Sequence, residues 1–459
     1  MQLYNTMSKK KETFAPIKKT VGFYACGLTV YNYAHIGNLR TYIFNDILKR
    51  VLLFNNYKVK HVMNITDVGH LTSDQDEGED KMLKGAKREK KTVWEIAEFY
   101  TEEFKKDLKN LAIIEPDEWP KATDHIKEQI DMIKTLEKKG FTYQAGGNVY
   151  FNTSKLKDYG KLARLDLNAE TKSRVEKDPN KKNKHDFVLW FTKSKFKDQE
   201  MKWKSDYGEG YPGWHLECSA MSSKYLGKQF DIHTGGIDHI PVHHTNEIAQ
   251  SEACFGKTPW VKYWLHGEFL ILDKEKMSKS KGGFLTLNKL IKKGYDPLAF
   301  RYLCLTTQYR KPLTFSFESL DGAANALKKL QNKILEMLEQ AKEGKEENVE
   351  KYIEDFQTAI NDDLNMPKAL AAVWEMLKNE KISNLKKYQI ILEFDRVLGL
   401  NLDLIQLEKL PREIEELITQ REDARFKKDW KKSDQIRDKL LKKGYIVEDT
   451  ASGPRWKKK

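Results

Sequence analysis

Cysteine is scarce in this chain of 459 residues. Only Cys26, Cys218, Cys254 and Cys304 occur, far apart and with no C-x-x-C pair. That spacing excludes a disulfide framework and a ribbon-type zinc site, so any metal site has to be assembled across the fold. Long apolar runs are lacking as well. Nothing approaches the roughly 18 uninterrupted apolar residues of a membrane span, and no apolar core follows the basic opening MQLYNTMSKKKETF. Neither secretion nor a membrane is expected, and a cytoplasmic location is. No fixed-period repeat is seen, which excludes a solenoid or propeller.

What is present is charge. Charged residues make up 32% of the chain, hydrophobic ones 39% and aromatics 11%, the composition of a soluble globular protein long enough for about three domains. The formal net charge is +13, and between Arg421 and Lys459 there are 14 basic and 7 acidic residues. About half of the excess therefore sits in the last 39 residues, where a polyanionic partner would be sought.

The run VGFYAC (21–26) is short, apolar and β-prone, and LRTYIFNDILKRVLLF carries apolar residues at helical spacing. With KVKHVMNITD (58–67) as the next strand, the chain opens as a βαβ unit of a nucleotide-binding sheet. An inserted α+β segment follows, ending in the lysine-rich stretch TKSRVEKDPNKKNK, read as a solvated loop. Sheet-like runs resume at FDIHTGG and YWLHGEFLILD, and from about Ser316 the pattern is nearly all helical, with AKEGKEENVEK as an exposed turn.

Two segments carry chemistry. His35-Ile36-Gly37-Asn38 falls where the first strand hands over to the first helix, the place where phosphates meet backbone N–H groups and the helix dipole. Gly37 lets a nucleotide approach the backbone, and His35 can donate to a phosphate oxygen as charge accumulates; a capping histidine without a ligand reads equally well from the tetrapeptide alone. Lys276-Met277-Ser278-Lys279-Ser280, followed by Lys281-Gly282-Gly283, places two lysines three apart on a glycine-terminated loop. This is either a cationic clamp for a triphosphate or a charged surface loop. In this order, the two segments resemble the HIGH and KMSKS signatures of class I aminoacyl-tRNA synthetases.

His243 and Glu247 are four apart in VHHTNEIAQSEA, so on a helix they share one face and can hold one ion. Free cysteines are more often core filler, and a His–Glu pair is commonly a surface contact. The blocks CGLTVYNYAHIGNLR, YPGWHLECSAM, HTGGIDH and HHTNEIAQSE, with the opening MQLYNT and the ending GYIVEDTASGPRWK, closely resemble cysteinyl-tRNA synthetases along essentially the whole chain. The resemblance implies cysteine activation by ATP with Mg2+, transfer to tRNA(Cys), and one zinc ion held by Cys26, Cys218, His243 and Glu247, with His244 the alternative to His243. It implies catalytic roles for His35, Asn38, Lys276 and Lys279, and ATP binding by His35, Gly37, Gly236, Asp238 and Lys279. Thr66 and Trp214 match positions lining the cysteine pocket, although Trp214 reads equally as core. Arg425, Trp430, Asp434, Arg437 and Asp449 match the anticodon-reading surface, although Asp434 is also an ordinary helix-surface charge.

Departures from the family pattern include Leu28, Tyr211, Pro241-Val242 and Thr245; none removes a proposed ligand. The expected fold class is α/β: a class I Rossmann-like catalytic domain with an insertion, an α-helical bundle, and a small C-terminal anticodon-binding domain. The expected boundaries are 1–112 and 201–265 for the catalytic halves, 113–200 for the insertion, 266–318 for a stem-contact segment bearing the KMSKS loop, 319–405 for the bundle and 406–459 for the anticodon domain. A monomer is expected from the family. Two alternatives are a cysteine ligase acting on a small amine, like the mycothiol-pathway enzyme, and a catalytically silent RNA-binding relative.

Overall fold

A computed structural model describes residues 1–459 apart from 69–70, 74–76, 167–177, 194–199, 274–283, 341–348, 408–410, 451–452 and 459. Lys276 and Lys279, most of AKEGKEENVEK and half of the lysine-rich stretch lie outside the described residues. The chain divides into two compact units, Met1–Leu404 and Ile405–Lys459.

The first unit opens with a hairpin of β1 (Gln2–Asn5) and β2 (Lys10–Thr13). Next come β3 (Thr20–Ala25), α1 (Ile36–Phe54) and β4 (Lys58–Met63), the expected βαβ unit. Helix α1 buries Ile36, Leu39, Ile43, Ile47 and Val51, the stripe that its apolar spacing dictates. A two-stranded ribbon, β5 (Leu71–Ser73) and β6 (Glu77–Asp80), precedes α2 (Lys81–Glu89) and α3 (Val93–Asn110). The inserted part contains α4 (Ile126–Lys138) and an antiparallel sheet in the order β10-β9-β8-β7, made of Thr142–Ala145 (β7), Asn148–Phe151 (β8), Phe187–Phe191 (β9) and Tyr211–Pro212 (β10).

The central sheet closes with α5 (Trp214–Leu226), β11 (Phe230–Gly236), α6 (His243–Phe255) and β12 (Val261–Gly267). Its order is β12-β11-β3-β4, all parallel. The register aligns Ala25 with Met63 and with Thr234, and Thr234 with Leu265. One residue further along each strand, Cys26, Asn64, Gly235 and His266 therefore form the carboxyl edge, where open α/β sheets bind ligands. Gly27 sits at that edge because a side chain there would run into the Asn64 backbone.

Beyond the sheet lie β13 (Leu270–Leu272), α7 (Leu287–Lys292), α8 (Pro297–Leu305) and β14 (Leu313–Phe315). The helices α9 (Phe317–Glu339), α10 (Glu350–Asn361), α11 (Met366–Lys378) and α12 (Asn384–Leu398) complete this unit. The second unit packs α13 (Arg412–Phe426) and α14 (Trp430–Lys442) with the hairpin β15 (Tyr445–Thr450) and β16 (Gly453–Lys458). Its small core is Ile414, Ile436, Leu440, Tyr445 and Val447. Among the described residues, no helix is long and apolar enough to cross a membrane.

Candidate functional site

His35 is the N-cap of α1. Its Nδ1 accepts from the Asn38 backbone N–H at 3.1 Å, while the Asn38 side-chain oxygen accepts from the His35 N–H at 3.2 Å, a reciprocal capping box. Because Nδ1 is an acceptor, a neutral His35 carries its proton on Nε2, which leaves that atom available as a donor. Burial pushes the imidazole pKa down and the Asp238 carboxylate partly opposes this, so the ring is neutral at pH 7. The chain leaving the 274–283 segment returns to this point. Leu285 O accepts from Ile36 N at 2.9 Å, and the Phe284 ring stacks on His35 at 5.7 Å and 17°.

At the carboxyl edge of the sheet lies a buried donor cluster. Cys26, His243, His244 and Glu247 each present one ligand atom, all within 4.8 Å of one another. Cys26 follows β3, and the other three project from the first turns of α6, where the i, i+4 spacing puts His243 Nε2 2.8 Å from Glu247 Oε1. His244 Nε2 lies 3.4 Å from Cys26 Sγ. Cys218, on α5, is not one of these four, but its thiol interacts with both Cys26 and His243, and the Cys26 contact, against burial, brings its pKa down to about 7. Burial opposes the charge on His243 and on Glu247, yet each holds the other ionised, with pKa values of about 10 and about 2, and His233 also holds Glu247 down.

Three of the four sequence-predicted ligands, Cys26, His243 and Glu247, are thus brought together, and the fourth member of the group is His244, the alternative histidine, while Cys218 lies outside the group and meets it through Cys26 and His243. A second layer, which sequence reasoning missed, orients them. His233 Nε2 meets Glu247 Oε2 at 2.9 Å, His266 Nε2 meets His244 Nδ1 at 2.7 Å and reaches Thr6 through Nδ1 at 2.8 Å, and His215 meets His243 at 2.9 Å. A signal was present: six of the eleven histidines fall between His215 and His266. Gly235 is needed here because a Cβ would collide with the His239 and His244 rings.

The other expected pocket residues border this cluster. Trp214 is half-buried and lies over His243, with ring centroids 4.2 Å apart at 25°. Thr66 is buried, accepts from Asn64 Nδ2 at 2.9 Å, and its backbone pairs with Leu28 and Val30. Gly236 ends β11 and caps the short turn Ile237–His239, which carries the exposed carboxylate of Asp238. In the second unit, the Arg425 guanidinium lies 5.8 Å from the centre of the Trp430 ring and bonds to Asp449 at 3.0 Å. Asp449 also takes two bonds from Arg421, at 2.8 and 3.0 Å, and Asp434 pairs with Arg437 at 3.3 Å.

A parallel sheet with a histidine-capped helix at its carboxyl edge is the architecture of a class I tRNA synthetase. Residues 13–325 match the family model described as tRNA synthetases class I (C) catalytic domain. The fold agrees with solved structures of methionyl-tRNA synthetase from Mycobacterium tuberculosis, at TM-scores of 0.57 and 0.58, 15% and 14% identity, and coverage of 83–84% of this chain and 88–93% of theirs. Residues 407–456 match the cysteinyl-tRNA ligase anticodon binding domain. The cysteine–tRNA ligases of Treponema denticola and Borrelia garinii are 48% and 46% identical over 100% of this chain and 99% of theirs, and cysteine–tRNA ligase 1 of Burkholderia lata is 47% identical over 99% and 96%. The chain belongs to the cysteine–tRNA ligase family. The sugar-amine ligase and the silent relative find no support, since the match runs through both units.

Proposed function

We propose that this protein activates L-cysteine with ATP and transfers it to tRNA(Cys), acting as a cytoplasmic monomer. The observation that carries the reading is the buried Cys26–His243–His244–Glu247 cluster, with the Cys218 thiol beside it, at the same sheet edge as the His35 cap. The cysteine carboxylate attacks the α-phosphorus of ATP, pyrophosphate leaves, and a terminal ribose hydroxyl of the tRNA then displaces AMP from the carbonyl carbon. The protein positions these groups and neutralises charge. His35 Nε2–H faces the developing phosphate charge, Asn38 holds that tautomer through the cap, Gly37 and Gly236 admit the nucleotide, and Asp238 flanks it. Lys276 and Lys279 neutralise the leaving pyrophosphate, where Mg2+ would supply further positive charge.

Two thiols, an imidazole and a carboxylate suit zinc. Three groups able to ionise negatively, buried around one point, also favour a cation there. Cys26, Cys218, His243 and Glu247 would hold it, with His244 the alternative to His243, and a bound zinc ion would supply a borderline-soft Lewis acid for the substrate thiolate, which a serine hydroxyl matches poorly. Trp214 and Thr66 shape the remainder of the pocket. Packing alone, worth roughly 1–3 kcal/mol, would reject serine weakly.

The test is Cys218→Ser. Metal content should fall from one zinc per chain towards none, and the ratio of cysteine- to serine-dependent pyrophosphate exchange should collapse. Full metal with unchanged discrimination refutes the ligand assignment. A wild-type protein that charges no tRNA while activating cysteine refutes the tRNA step alone.

A further inference from the structure

Phe426 is the most exposed large apolar side chain among the described residues, at 91%, followed by Leu404 at 67% and Phe284 at 62%. It ends α13, whose buried face is Ile414, Arg421 and Ala424, with Leu417 and Ile418 packed on the same core. Phe426 lies off that stripe, so the fold of the unit makes no use of its ring. The turn that presents it is nevertheless tightly specified. Lys428 N donates to Arg425 O at 2.9 Å, Asp429 N donates to Ala424 O at 2.8 Å, and Lys428 takes a left-handed φ of 59°. The Asp429 side chain then caps α14 by accepting from Lys432 N at 3.1 Å.

Four residues on, Trp430 is 57% exposed beneath the Arg425 guanidinium. Lys427, Lys428, Lys431 and Lys432, the chain neighbours of the two aromatic residues, are all exposed. The nearby acids are Glu422, held close to Arg421 and Arg425, Asp449, bonded to the same two arginines, Asp434, paired with Arg437, exposed Asp423, and Asp429, which is engaged as the cap. A hydrogen-bonded turn with two exposed aromatic rings and exposed lysines beside them in the chain matches unstacked nucleobases, whose faces stack on the rings while lysines meet the phosphates.

We propose that Phe426 is a second stacking platform for an unpaired base of the anticodon loop, beside Trp430. This rests on the reading of the second unit as the part that meets tRNA. An aromatic side chain at 426 gives affinity for the loop without reading base edges, because every base has a π-face. Phe426 acts on tRNA binding and leaves amino-acid activation untouched.

The experiment uses the full chain with tRNA(Cys), comparing Phe426→Ala, Phe426→Leu, Phe426→Trp and Trp430→Ala. Phe426→Ala should raise the KM for tRNA about 5- to 50-fold, with kcat and cysteine-dependent pyrophosphate exchange unchanged. Phe426→Leu should resemble alanine, and Phe426→Trp should restore wild-type KM. The ring is solvent-facing, so the melting temperature should hold in all four variants. Wild-type KM for Phe426→Ala alongside a raised KM for Trp430→Ala overturns the platform and spares the parent reading. No change in either variant overturns the parent reading. A change in self-association, seen by sedimentation and without a change in tRNA KM, assigns the ring to a protein contact and also overturns the platform.

Discussion

His35 shows how a single side chain can be committed twice. Its Nδ1 belongs to the helix cap and its ring face to Phe284, which leaves Nε2 as the ring's donor. The stack matters because it fixes the ring plane at the exit of the 274–283 segment, and aromatic pairs contribute about 0.5–1.5 kcal/mol beyond area burial. Replacing Phe284 with leucine should therefore lower kcat in pyrophosphate exchange about 2- to 10-fold with little change in the KM for cysteine, and tyrosine should restore it. An equal loss with tyrosine would show that the ring plane is not what His35 needs. The cap itself was legible in the tetrapeptide, since histidine before a helical run and asparagine three residues on is a local pattern. The buried donors were a different matter. Cys26, Cys218 and the 243–247 pair lie on separate elements, and no spacing rule joins them; the resemblance supplied that link. His215, His233 and His266 were not legible one by one, because an isolated histidine on an apolar strand or helix resembles core; only their crowding between positions 215 and 266 marked them.

At the scale of elements, the helix that carries His35 is tied to the later helices by one buried ion pair. Asp46 on α1 and Arg301 on α8 are both fully buried and meet at 2.6 Å. The second guanidinium is Arg50 at 2.7 Å, and Ile114 N donates to the other carboxylate oxygen at 2.8 Å. Arg301 also donates to Leu398 O and Leu111 O, and a side chain at Gly399, where φ is 63°, would collide with its guanidinium. Pairing residues 255 positions apart leaves no mark in local periodicity, so Asp46 reads from sequence as an ordinary charge on an amphipathic helix. Asp46→Asn should destabilise the first unit by about 3–5 kcal/mol, the usual cost of stranding a buried charge, visible as a lower urea midpoint. A loss under about 1 kcal/mol would mean that water enters the gap and the clamp is weak.

Helix α3 contains the reverse case. Asp107 is 9% exposed, and burial, reinforced by Glu103 one turn earlier and opposed by Lys106, pushes its pKa up to about 7. In the unfolded chain an aspartate titrates near 3.9, so the native state holds the extra proton across the window from about pH 4 to 7. Stability contributed by this group is full below that window and is lost as pH rises through it. Asp107→Asn removes the dependence. The variant should exceed wild type by only about 1 kcal/mol at pH 4.5 and by up to about 4 kcal/mol at pH 8. A constant difference between the two pH values would place the titration elsewhere.

For the whole molecule, charge and chemistry are separately located. The buried donor cluster lies in the first unit, while about half of the net +13 lies from Arg421 onward, in the unit that matches an anticodon binding domain. Counterion release makes each phosphate contact visible as a salt slope, about 0.7–0.9 per contact in log affinity against log salt. The KM for tRNA should therefore rise at least about tenfold between 50 and 200 mM salt, while the KM for cysteine in pyrophosphate exchange stays nearly flat. Removing Lys427 and Lys428 together should lower the tRNA slope by about 1.4–1.8 if both meet phosphates. Phe426→Ala should weaken tRNA binding equally at every salt concentration, because stacking releases no counterions. The two variants thus separate the positive and the aromatic parts of one turn, and parallel salt slopes for wild type and the double lysine variant would remove those lysines from the RNA path.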